Sequence, residues 1–248
     1  MANVLEAGHI YFFYRPRVQH DEAKGLEDIQ RFHFILSPRG KRVWRLLTIG
    51  RKRMPEVKDG GERVWAFVDK VGHEPREVED ELDRQIYGTK TRGERVRPEA
   101  RPAGEGVYTV VAHGDHTHLA YELEFPKEPG EVQRELNIEE QGSYVVTVKN
   151  PDAPSPPWAG FRRREKVELP AELARHFRGR RFAELTPELL DQEGTELVLV
   201  GAKETPEAEL GITLEPEEED ETNAAIFDDL KLERAQHPLE PLFTGEWR

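Results

Sequence analysis

Cysteine is absent from the 248 residues, which removes disulfides, thiolate nucleophiles and every cysteine-ligated zinc or iron–sulfur site. Serine is scarce: Ser37, Ser143 and Ser155 are the three in the chain, and none stands in the Gly-x-Ser-x-Gly setting of a nucleophile elbow. The apolar run near the start, Ile10–Tyr14, is far too short to span a bilayer or form the core of a signal peptide. A Walker-type phosphate loop and a His-Glu-x-x-His zinc motif are missing, and Gly104-Glu-Gly106 runs into a strand instead of joining a strand to a helix, so it is no dinucleotide fingerprint. Carboxylates are plentiful, yet no spacing among them singles out an acid–base pair. A soluble, cytoplasmic protein with no membrane association is the expectation.

Charge is the first thing present in excess. Charged residues make up 34% of the chain and apolar ones 36%, with a formal net charge of −13. Much of that charge is local. Nine acidic residues and no basic one lie between Glu204 and Thr222, and without them the chain carries 40 acidic against 36 basic residues. The acidity belongs to one segment and leaves an anionic partner open to the rest of the chain.

The hydrophobic pattern predicts an α+β protein, a mostly antiparallel β-sheet or partly open barrel with a small C-terminal α/β unit. Gly8–Val18 reads as a buried strand ended by Arg15-Pro16, and Phe32–Ser37 with Val43–Ile49 as a hairpin about Ser37-Pro-Arg-Gly-Lys41. A turn over Lys58–Glu62 leads into a strand over Arg63–Val71. Val78, Leu82 and Ile86 at helical spacing predict a helix over Glu74–Ile86, and the polar stretch Gly88–Glu105 predicts a long loop. Gly106–Pro126 reads as two strands joined by a tight polar turn, Gly130–Ile138 as a short helix and Gly142–Lys149 as a further strand. The proline-rich Asn150–Gly160 marks a boundary. The organisation expected is a β-rich domain over 1–150, a small α/β unit packed on it over 151–203, an acidic mobile segment over 204–223, and a helix with a docking tail over 224–248.

The chemistry concentrates in the central hairpin. Strand parity places His116, His118, Glu122 and Glu124 on one face and Leu119, Tyr121, Leu123 and Phe125 on the other. His116, His118 and Glu122, with His113 from the adjoining turn, are the candidate ligands for a divalent metal, the one cofactor the pattern suggests. The same alternation also serves as the wet face of an antiparallel sheet that binds nothing. His116-Thr-His118 followed by Glu122 resembles in part the first cupin motif. It departs from that motif at Val110, where the leading glycine is expected, and at Gly130, one residue too far on; neither Asn137 nor Asn150 has the histidine of a second motif four residues before it.

The second constellation is basic. Arg39–Arg53 holds seven positive residues, Arg42 and Arg45 among them, and no negative one. Lys90, Arg92, Arg95, Arg97 and Arg101 line the expected loop, and Arg162, Arg163, Arg164 and Lys166 follow the proline-rich boundary. Gathered on one face, such residues bind phosphates, with Trp44 or Trp158 available for stacking; positive clusters beside turns are also ordinary solvated surface.

GHIYFFYRPRV, KTRGER, HTHLAYELEFP, VKNPDAPSPP and HPLEPLFTGEW together resemble a family of bacterial and plant proteins with no assigned function, over nearly the whole chain. The resemblance implies one inherited unit and carries no activity with it. The residues themselves suggest a non-catalytic binding or adaptor protein that recognises an anionic ligand, such as RNA or another phosphate-bearing molecule, through its arginines. The alternative is a metal-dependent enzyme at the histidine hairpin. A third reading has Tyr11, Phe13 or the apolar tail completed by a protein partner.

Overall fold

Runs rich in aromatic and β-branched residues suit the pleat of buried strands. In the computed structural model, which describes residues 2–57, 61–91, 93–154, 167–202, 206 and 210–248, eight such strands close into an antiparallel barrel. The staves are β1 (Asn3–Pro16), β2 (Ile29–Pro38), β3 (Trp44–Ile49), β4 (Arg63–Gly72), β7 (Arg101–His113), β8 (His116–Phe125), β9 (Gln141–Lys149) and β11 (Glu196–Gly201). The remaining strands are a separate two-stranded ribbon, β5 (Gln85–Thr89) with β6 (Gly93–Arg97), and the short β10 (Phe182–Glu184), which pairs with β9. Around the barrel the order is β1-β2-β3-β4-β11-β9-β8-β7, and the β7–β1 pairing closes it.

One side chain from each stave illustrates the interior: Phe12, Phe34, Leu47, Ala66, Leu199, Val146, Tyr121 and Tyr108 pack in a single cluster. Because residues alternate across a strand, the neighbours of these residues point outward. On one outer face Tyr11, Phe13, Ile35, Trp44, Leu46 and Phe125 form a second apolar cluster. Val78 of α1 (Pro75–Glu79) and Leu82 cover one part of it; Ala224, Ile226, Leu230, Leu232 and Leu242 from the C-terminal arm cover the rest. The arm contains α5 (Ala225–Asp229) and α6 (Glu240–Phe243). Trp247 continues it across the barrel and meets the Tyr14 ring edge-on at 5.1 Å. The other helices are equally short: α2 (Glu131–Glu135), α3 (Ala171–His176) and α4 (Pro187–Leu190).

Several sequence expectations need correction. The barrel is closed, not partly open. The expected C-terminal α/β unit is not a separate body, since its strand β11 is a stave inserted between β4 and β9. The helix expected over Glu74–Ile86 stops at Glu79, and Ile86 lies in the β5–β6 ribbon, exposed. The long loop expected over Gly88–Glu105 is that ribbon followed by the start of β7. The helix expected at the start of 224–248 is confined to α5. The acidic segment, where described, docks on the barrel: Leu210, Leu214 and Glu219 are buried. The turn at 58–60, Arg92, the stretch 155–166 with Trp158, Arg162, Arg163, Arg164 and Lys166, and residues 203–205 and 207–209 lie outside the described residues. Among the described residues no helix is long and apolar enough to cross a membrane.

Candidate metal centre

His113 ends β7 and His116 begins β8, and the two residues form the last cross-strand pair of the hairpin. The chain reverses through Gly114-Asp115 alone. Gly114 takes φ +66° at the first central position, a backbone that a side chain would strain and that primed hairpin turns reserve for glycine. Directly paired residues bring their side chains to about 5 Å across the ladder, and the next same-face residue along a strand lies about 7 Å away. His118 is that next residue. Turn and parity together therefore place three imidazoles on one outer patch at the end of the barrel, with ring centroids 4.9 Å (His116–His118), 5.8 Å (His113–His116) and 6.0 Å (His113–His118) apart. One nitrogen from each ring falls within 4.8 Å of the other two.

The three rings differ in surroundings. His118 is 1% exposed. Its Nδ1 is 3.0 Å from the Ser143 hydroxyl on the neighbouring stave β9, while its Nε2 is buried and has no hydrogen-bond partner. Burial, with His116 and His113 adding to it, lowers the His118 pKa to about 4, so the ring is neutral. His116 Nδ1 lies 2.9 Å from Asp115 Oδ1, and that contact holds the exposed Asp115 carboxyl below its ordinary value. Two of the three imidazoles thus have an outer partner on one nitrogen, the arrangement that orients metal-ligating histidines. Ser143 was not singled out by sequence reasoning. It sits on the polar parity of GSYVVTVK, but only the β8–β9 pairing shows that it faces His118.

Glu122 does not join this set. It lies four residues beyond His118 on β8, about 13 Å along the strand, and pairs with Val107. The His-His-Glu grouping of a cupin first motif is therefore not assembled.

Of the seven residues put forward for anion binding, the six that are described are dispersed. Arg45 is fully buried and pairs with Glu6 and, at 2.7 Å, with Asp191. Arg101 is 1% exposed and donates to the Asp21 and Glu99 carbonyls. Neither belongs to an outer surface. Arg42 is exposed and pairs with Glu74. Lys90, Arg95 and Arg97 lie together on the ribbon, where Arg97 donates to Gln85 at 2.8 Å and lies 5.7 Å from the Tyr87 ring centroid.

A second set of buried polar groups was not anticipated. Glu105, Glu124 and Glu219 are buried where the arm crosses β7 and β8, and each has one oxygen without a hydrogen-bond partner. Their other oxygens accept the backbone N–H of Ile226 (2.8 Å), Glu217 and Ala225 (3.2 Å), respectively. Burial first, then the neighbouring Glu219, holds the Glu105 carboxyl well above the usual range. Burial, with Glu219 and Glu217 adding to it, pushes Glu124 up to about 7.

Compared with known proteins, the chain matches no family model, no curated protein and no solved structure.

Proposed function

We propose that this protein binds a divalent transition metal of the zinc class through His113, His116 and His118. The observation that carries the reading is His118 Nε2, a buried nitrogen without a partner beside two further imidazoles, all three offering a nitrogen within 4.8 Å. A buried polar nitrogen normally finds a partner, and a metal ion supplies what this one lacks. Three imidazoles leave one position of a tetrahedral ion open, the pattern of centres that bind water or a substrate oxygen. On this reading the centre is suited to metal-dependent hydrolytic chemistry.

The test is metal content of the protein as purified, followed by thermal unfolding with added zinc, nickel or manganese. A ligand that binds only the folded state raises its melting temperature. The shift is expected in the wild type and lost in His118→Ala and His116→Ala, while Ser143→Ala weakens metal affinity by about tenfold. No shift with any of the three metals, or equal shifts in the histidine variants, ends the reading.

A second reading, recognition of an anionic ligand such as RNA, draws support from the ribbon. Ile86 and Tyr87 are 63% and 38% exposed, two of the three exposed large hydrophobic residues among the described ones. They share the ribbon with Lys90, Arg95 and Arg97, and an aromatic beside cations suits base stacking with phosphate contacts. Salt-dependent retention on single-stranded RNA that Tyr87→Ala abolishes supports it; retention unchanged by that substitution refutes it.

A further inference from the structure

Trp44 lies on the outer face of β3 at the junction of two open cavities. The first, about 610 Å³, lies between α1 and the arm; the second, about 570 Å³, lies between the β2–β3 turn and the arm. They share Trp44, Asp228 and Asp229, so they adjoin at these residues. The first cavity is lined by seven carboxylates against three basic residues, and two of those, Arg42 and Arg76, are already paired with Glu74 and Asp80. Burial first, then Asp83 and the nearby Glu233, raises the Glu79 pKa, as expected of carboxylates gathered with too few cations. A concave wall in which one sign predominates focuses its field on the space it encloses. Trp44 is independent of that charge: it is 7% exposed, lines both cavities, and its Nε1–H has no acceptor.

The geometry points to a docking trough for an extended basic peptide segment of a partner protein, running past Trp44 along the C-terminal arm. The carboxylates of the first cavity, spread from α1 to the arm, match cations repeated along a chain, which one compact cation does not supply. A Lys or Arg side chain against the indole gains a cation–π contact, and a peptide carbonyl gives the Trp44 N–H the acceptor it lacks. The size of each cavity is that of ordinary binding sites.

The test is fluorescence anisotropy at low salt with a labelled peptide of alternating Lys and Gly, and an alternating Glu and Gly control. The basic peptide is expected to bind and the acidic one not. Asp228→Asn and Glu233→Gln, both at exposed positions, should each weaken binding about threefold without affecting the fold. Trp44→Phe, which keeps an aromatic wall but removes the N–H, should weaken it about fivefold. Binding unchanged in the Asp228→Asn/Glu233→Gln double variant overturns the proposal. So does displacement by spermidine at equal cationic charge with no effect of Trp44→Phe, since the trough would then read charge alone. The His118→Ala protein should bind the peptide as the wild type does, which keeps this outcome separate from that of the metal centre.

Discussion

Arg45 and His118 are both polar side chains taken out of water, and their surroundings answer the cost in opposite ways. Arg45 is fully satisfied. Its guanidinium pairs with both oxygens of Glu6 and with Asp191, while the Tyr108 hydroxyl donates to Glu6 at 2.8 Å and Lys41 reaches the same carboxylate at 3.1 Å. Burial pushes the Glu6 carboxyl up, but the Arg45, Tyr108 and Lys41 contacts outweigh it and hold the group below its ordinary value. Removing one partner of such a set leaves a charge buried and unpaired, so Arg45→Ala should cost about 3–5 kcal/mol in urea denaturation. Adding Glu6→Gln to that variant should recover part of the loss; a double variant no more stable than Arg45→Ala would assign the effect to lost packing. His118 is the contrasting case, with one nitrogen satisfied by Ser143 and one left open. Sequence reasoning placed both residues in binding sites and had no means of separating them, because burial and partners do not appear in residue type or spacing.

At the scale of elements, the hairpin β7–β8 was readable and the ribbon β5–β6 was not. The inward face of the hairpin lies in the apolar core, so apolar residues alternate along β8 and a short polar turn precedes them. The ribbon's residues are all half-buried or exposed, and polar residues and glycines fall on both parities; without a buried face there is no alternation to read. Val78, Leu82 and Ile86 share helical spacing by coincidence, since the first two face the outer apolar cluster and the third faces solvent. The arm brings its own prediction. The unpartnered oxygens of Glu105 and Glu219 meet at the seam between barrel and arm, a situation two carboxyl groups resolve by sharing one proton. Glu105 is held above its ordinary value of 4.5, so the stability it contributes is fully present below about 4.5 and is lost as pH rises toward its folded value. Glu105→Gln keeps an acceptor for the Ile226 N–H and donates to Glu219 at any pH. It should raise the melting temperature by a few degrees at pH 8 and by less at pH 5. A uniform shift at both pH values, or a loss at pH 8, would show that no proton is shared there.

The molecule as a whole is one barrel wrapped by its own C-terminal arm. The arm covers Tyr11 and Phe13 from the same chain, which answers in cis the apolar face that sequence reasoning offered to a partner. Tyr11 donates to Asp229 at 2.8 Å, and His237 Nδ1 lies 2.7 Å from the Ala100 carbonyl, so polar contacts join the same surfaces. Leu242 is fully buried at this junction. Leu242→Ala should therefore lower unfolding free energy by about 3 kcal/mol within a single cooperative transition. An early separate transition in urea would instead make the arm an independently folding attachment.

Local alternation and turn chemistry were enough to specify the central hairpin and to put His116 and His118 on one face with His113 beside them near the turn, because turn, parity and pairing there all lie within a few consecutive residues. The closing of the sheet was decided only in three dimensions. The pairings of β1 with β7 and of β11 with β4 and β9 join segments far apart in the chain, and the same alternation would suit an open sheet equally well. That closure turned the expected α/β unit into a stave, drew Arg45 and Arg101 inside, and set Ser143 beside His118. Hydrogen bonds between distant strands leave no mark on local sequence, and burial depends on what distant residues come to cover.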